Sequence, residues 1–152
     1  MKKILFGLLA LSSLLLAACD GKEKEGGKDD VTNEVTLTET DNQIVIKQVL
    51  TQYGITVTST YEWNFQNDIC TSATLTATYP SASLAQIAYD GIVEDLEKDE
   101  QGRDRIADYS VKGKSLIYDM SKPYAGSSKD QVRQVATFMK ESLETTNYQD
   151  ED

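Results

Sequence analysis

The chain has 152 residues, one domain's worth, with 15 Lys+Arg against 25 Asp+Glu, a net charge of −10, no histidine, two cysteines and eight tyrosines. Without histidine it cannot run a Ser-His-Asp or Cys-His mechanism in cis, nor offer imidazole to zinc. An acid excess with no basic stripe speaks against nucleic-acid binding, and two cysteines cannot build the multi-bridge framework of a small secreted scaffold.

Met1-Lys2-Lys3 is a short positive segment, and Ile4 to Ala18 is an apolar run broken only by Gly7, Ser12 and Ser13. A permanent membrane span needs about 20 apolar residues, so this run is short for one and has the length of a signal-peptide core. It ends in Leu16-Ala17-Ala18-Cys19. With these four residues the front of the chain resembles a bacterial lipoprotein precursor at its lipobox. The resemblance covers residues 1–19. It implies cleavage between Ala18 and Cys19, diacylglycerol on the Cys19 thiol, a second acylation point at the new amino terminus, and membrane attachment through those acyl chains. Two or three chains hold a protein firmly where one does not. Cleavage removes Lys2 and Lys3 and no acid, so the net charge becomes −12 and Cys70 is left as the second cysteine, without a partner for a disulfide.

Asp20 to Asp30 contains no apolar residue, so burial cannot offset the entropy of ordering it, and a flexible tether is expected over residues 19–30. Eleven such residues typically span about 15–20 Å. Charged residues directly after the lipid cysteine resemble the surface-export signals of Bacteroidota lipoproteins. Asp20 in that place also resembles the inner-membrane retention signal of enteric bacteria. The expected address is therefore the bacterial cell envelope, outer membrane or cell surface ahead of inner membrane, with the leaflet open. A single domain is expected over residues 31–148, and residues 149–152 form an acidic tail.

Val35-Thr36-Leu37-Thr38 alternates ahead of the turn chemistry of Asp41-Asn42, and Ile44 to Leu50 is a run of strand formers ended by Gly54. Ile55, Val57, Ser59, Tyr61, Trp63 and Phe65 share one parity, and Thr56, Thr58, Thr60, Glu62 and Asn64 share the other. After a turn at Gln66-Asn67-Asp68, Ile69, Ala73, Leu75, Ala77 and Tyr79 oppose Cys70, Ser72, Thr74, Thr76 and Thr78. Such alternation marks a long antiparallel hairpin with one wet, threonine-rich face. Pro80 stops the strand. Ser83-x-x-Gln86 has the form of a capping box, and Leu84, Ile87, Ala88, Gly91, Ile92 and Leu96 recur at helical spacing to about Lys98. Asp99 to Asp104 reads as a charged loop. Ile106 to Val111 and Ser115 to Met120 read as a second hairpin turning at Lys112-Gly113, and Pro123 to Ser127 as a loop. Ser128-x-x-Gln131 is another capping box, ahead of the stripe Val132, Val135, Ala136, Met139 and Leu143. Strands, helix, hairpin and helix in that order predict an α+β fold, an antiparallel sheet of hairpins with two helices packed on one face. The element order and the Tyr79-Pro80-Ser81 junction resemble uncharacterised small lipoproteins of the YehR type, a likeness that implies no activity.

Motifs for chemistry are missing. The chain has no phosphate-binding glycine loop, no C-x-x-C and no Ser-x-x-Lys nucleophile. Asp95, Glu97 and Asp99 occupy the first, third and fifth positions of a calcium loop, but Glu100 stands where glycine is needed and Ile106 where the last glutamate is. The acidic run Asp90, Glu94, Asp95, Glu97, Asp99 and Glu100 therefore reads as a solvated helix face, with a weak calcium or basic-partner patch as the alternative. Cys70, on the polar parity, reads as a small residue partly covered in a sheet, with a redox-active or intermolecular thiol as the alternative. Tyr61, Trp63 and Phe65 read as core ahead of a ligand-stacking platform. No cofactor and no metal site is expected.

The expected function is non-catalytic: a lipid-anchored envelope protein whose domain binds an unknown envelope protein or ligand. The expected surface is the polar hairpin face of Thr56, Thr58, Thr60, Glu62, Thr74 and Thr76, where β-propensity alone would also favour threonine. The alternatives are an envelope hydrolase using two carboxylates and a structural or inhibitory protein pairing through a sheet edge.

Overall fold

In the computed structural model, residues 31–146 are described; the lipobox, the tether and the acidic tail lie outside them. The period-two segments form strands β1 (Thr32–Thr40), β2 (Gln43–Gln52), β3 (Ile55–Gln66) and β4 (Ile69–Thr78). Two-residue turns join them. Tyr53-Gly54 and Asn67-Asp68 have positive φ at both positions, the twist that best matches two antiparallel strands. The chain continues through α1 (Ala82–Glu97), a single helical turn α2 (Glu100–Arg103) and a 3-10 turn (Ile106–Asp108) into β5 (Tyr109–Lys112) and β6 (Ser115–Asp119). A short α3 (Ser121–Tyr124) and the long α4 (Lys129–Thr145) follow.

The six strands form one antiparallel sheet in the order β1-β2-β3-β4-β6-β5. β6 pairs antiparallel with β4, Leu75 opposite Tyr118, which leaves β1 and β5 as the edges. The fold is thus α+β, as the element order predicts. α4 packs on β1 and β2, and α1 on β5 and β6. Both helices contribute to the same core cluster, which includes the inward parity of the sheet: Ile44, Ile46, Val57, Tyr61, Trp63, Phe65, Leu75 and Leu116 are all buried. Trp63 is fully buried, flanked across the ladder by Ile44 and Ala73, and the ring of Tyr124 meets it edge-on at 5.7 Å and 78°. The aromatic parity is therefore core.

Several local expectations are corrected. Cys70 is not on the wet face. A β-bulge pairs Asn64 with Ser72 and Phe65 with Cys70, so Thr71 is an extra residue that reverses the parity below it. Cys70 turns inward at 2 % exposure and Ile69 outward at 44 %. Burial pushes the Cys70 thiol above its ordinary pKa, the opposite of what a reactive thiolate needs.

Helix α1 is capped by Ser81, not Ser83. Ser81 is extended (φ −142°, ψ 157°), as an N-cap residue is, and its Oγ accepts from the Leu84 N–H at 3.2 Å. Ile87, expected in the apolar stripe, is 49 % exposed. Asp99 to Asp104 is no loop: Asp99 caps α2 through the Gln101 N–H, and Gly102 packs where a Cβ would come within 2.5 Å of the Leu96 carbonyl oxygen. The strand expected from Ile106 starts at Tyr109, its turn is Gly113-Lys114, and α3 occupies part of the expected Pro123–Ser127 loop. The Ser128 capping box forms as expected, with Ser128 and Gln131 bonding reciprocally.

Polar contacts lock α4 to the first hairpin. The Asn33 amide donates to the Leu143 carbonyl at 2.8 Å, and Gln48 donates to Asn33 at 2.9 Å. At the other end Lys129 donates to the carbonyls of Thr40 and Asp41, and Arg133 grips Glu39 with two bonds of 2.6 and 2.9 Å. The Arg133 guanidinium, with help from Lys129, holds the Glu39 carboxyl down at about 2. A carboxylate depressed in the fold stabilises fully above its unfolded pKa, near 4.5, and loses that contribution as pH falls through about 2. Glu39 is solvent-accessible, so the pair is worth about 1 kcal/mol or less. Glu39→Gln should therefore be less stable than the parent by that amount at pH 7 in urea denaturation, with the gap closing between pH 4.5 and 2. A gap that stays constant over this range would contradict the assignment.

Candidate functional site

Among the described residues, no helix covers the second face of the sheet. α1 and α4 pack on the inward parity, and the outward parity stays half-buried or exposed on every strand. Sheet register places its residues in rows. One row runs Thr36, Lys47, Thr60, Thr76, Ile117, Ser110, and the next runs Thr38, Val45, Glu62, Thr74, Asp119. A third contains Glu34, Val49, Thr58, Thr78, Ser115 and Lys112. Neighbouring side chains within a row sit about 4.8 Å apart, and rows are about 7 Å apart.

Of the residues expected to form the partner face, Thr58, Thr60, Glu62, Thr74 and Thr76 lie together in these rows, with Thr60 opposite Thr76 and Glu62 opposite Thr74. Thr56 lies nearer the end of the sheet, on the same face, and its hydroxyl meets that of Thr51 at 2.7 Å. Thr58, Thr60, Thr74 and Thr76 make no side-chain hydrogen bond among the described residues, which leaves each hydroxyl able to donate and accept outward. Glu62 accepts from Asn64 at 3.1 Å, and Asn64 also bridges to Ser72 and Gln43. Sequence reading did not single out Lys47, the one cation in the middle of the array, nor Val45, Val49 and Ile117. Their outward position follows from the parity of β2 and from the pairing of β6 with β4. Ala18 and Cys19 lie outside the described residues.

This arrangement offers hydroxyls, the ammonium groups of Lys47 and Lys112, and the carboxylates of Glu34, Glu62 and Asp119 on a broad regular surface. It has the means to bind a polar partner by hydrogen bonds and charge pairing. A carboxylate-pair hydrolase would need one acid with a raised pKa. Asp119, the second acid of the Glu62 row, is instead held below its ordinary value by the Ser121 hydroxyl and N–H. The acidic run around α1 is solvent-exposed, with Lys98 bridging Glu94 and Asp95, and among the described residues no group of three His, Cys, Asp or Glu is placed to hold a metal ion. No described helix is long and apolar enough to cross a membrane.

Neither a family model, nor a curated protein, nor a solved structure matches this chain.

Proposed function

We propose that the protein is a lipid-anchored component of a bacterial cell envelope whose domain binds a polar envelope protein or ligand and performs no chemistry. The anchor rests on Leu16-Ala17-Ala18-Cys19 behind a positive start and an apolar run. The observation that carries the binding reading is the uncovered sheet face, where Thr58, Thr60, Thr74 and Thr76 keep their hydroxyls outward beside Lys47 and Glu62. Threonine also suits a solvated strand face, but here rigid strands hold the hydroxyls, an ammonium and a carboxylate side by side at fixed spacing.

Capture from envelope extract tests this reading, with the parent chain set beside Glu62→Lys and Thr76→Lys. Both positions are on the open face, so the folded domain should keep its circular dichroism. Proteins or ligands retained by the parent should be retained several-fold less by the variants. An unchanged set of retained species would remove this face from consideration.

A further inference from the structure

The two edges of the sheet are built differently. β5 has four residues, ends in Lys112 and is followed at once by a tight turn. Short length and an edge lysine are common ways to block edge-to-edge pairing. β1 has none of these protections. It is nine residues long, its register with β2 runs unbroken from Thr32 opposite Thr51 to Thr40 opposite Gln43, and it contains no proline, lysine, arginine or bulge. No described strand pairs with its outer margin.

We infer that β1 is a self-pairing edge, joining antiparallel to β1 of a second copy about a two-fold axis at Thr36. The sequence Thr32-Asn33-Glu34-Val35-Thr36-Leu37-Thr38-Glu39-Thr40 is complementary to its own reverse. With Thr36 opposite Thr36 of the partner, all nine residues pair. Val35 meets the other copy's Leu37, two residues that are only partly buried against the core of one chain. Glu34 meets Thr38 and Glu39 meets Asn33, so no like charges stand opposite each other. Shifts of two residues in either direction keep the faces aligned but lose two pairs, and a shift of one puts the open face of one copy against the helix layer of the other. The centred register is thus the one favoured by both length and pattern. It joins two six-stranded sheets into one, with both open faces on the same side.

The axis supplies a sharp test in the full chain. Across a closed antiparallel pair the Cα atoms are about 4.5–5.5 Å apart, within disulfide range. Thr36→Cys should therefore cross-link to itself under mild oxidation, well above the background set by the unsubstituted chain with its Cys19 and Cys70. Thr38→Cys should stay at that background, because the two copies of residue 38 are about 13 Å apart in this register. Under reducing conditions, sedimentation should give a dimer. Thr36→Glu faces Lys47 in its own chain but its own copy across the axis, so it should keep the fold and weaken the dimer about fivefold or more. A monomer at every concentration, a dimer indifferent to Thr36→Glu, or cross-linking at Thr38→Cys in place of Thr36→Cys would each overturn the inference. So would a monomer whose Thr36→Cys form couples only to a different protein in envelope extract, which would assign the edge to a foreign strand.

Discussion

Trp63→Ala should cost about 3–5 kcal/mol of folding stability, the largest loss expected from any single side chain of the domain. Trp63 is fully buried at the centre of the sheet, between Ile44 and Ala73. Its removal opens a cavity that the flanking strands cannot close, because their positions are set by ladder hydrogen bonds on both sides. The edge-on contact with Tyr124 of α3 is lost as well. Trp63→Phe separates packing from polarity. Among the described residues the indole N–H and the Tyr124 hydroxyl make no hydrogen bond of ordinary geometry, although the indole is close enough to the hydroxyl to favour its charged form, so phenylalanine keeps most of the packing and removes a weak polar contact. Its cost should be about 1–2 kcal/mol. Urea denaturation followed by circular dichroism measures both, since the chain's one tryptophan is the residue replaced. A loss below about 1 kcal/mol for Trp63→Ala would mean that the sheet centre is not the core described.

The aromatic parity of β3 was legible in the sequence because eleven residues repeat it without interruption, and its alternation survives in the structure intact. The parity of β4 was legible only above Ser72. Below it the choice between Ile69 and Cys70 depends on one extra residue at Thr71, and since both side chains are apolar, composition cannot show which one the bulge turns inward. The start of α1 is ambiguous in the sequence for a related reason: Ser81 and Ser83 are both competent caps, and only the backbone, extended at Ser81, shows that the first is used.

Contacts between distant segments were out of reach. Glu39 and Arg133 are 94 residues apart, Asn33 and Leu143 are 110 apart, and neither pair has a local signature. The placement of β6 beside β4 likewise depends on how α1 and α2 return the chain, and it is this pairing that brings Ile117 and Asp119 onto the open face. The threonines themselves were legible from alternation alone. That their face lies open follows only from the packing of both long helices on the opposite side.

The second large effect is at the other end of the chain. Cys19→Ala should abolish acylation altogether, because the thiol is the sulfur nucleophile to which diacylglycerol would be transferred, and alanine has no substitute for it. Cleavage after Ala18 should fail with it, leaving Met1 to Ala18 attached. Each buried methylene of an acyl chain is worth about 0.8 kcal/mol, so two chains give firm attachment and their loss is not a graded effect. The retained apolar run Ile4 to Ala18 can still hold a precursor near the membrane, which makes the covalent state a better readout than fractionation alone. The direct measurement is the intact mass of the protein extracted from bacterial membranes, parent beside Cys19→Ala. The account predicts a parent that begins at Cys19 and carries acyl mass, and a variant that begins at Met1 and carries none. A parent that begins elsewhere or bears no acyl group, or a variant processed and modified like the parent, would contradict it.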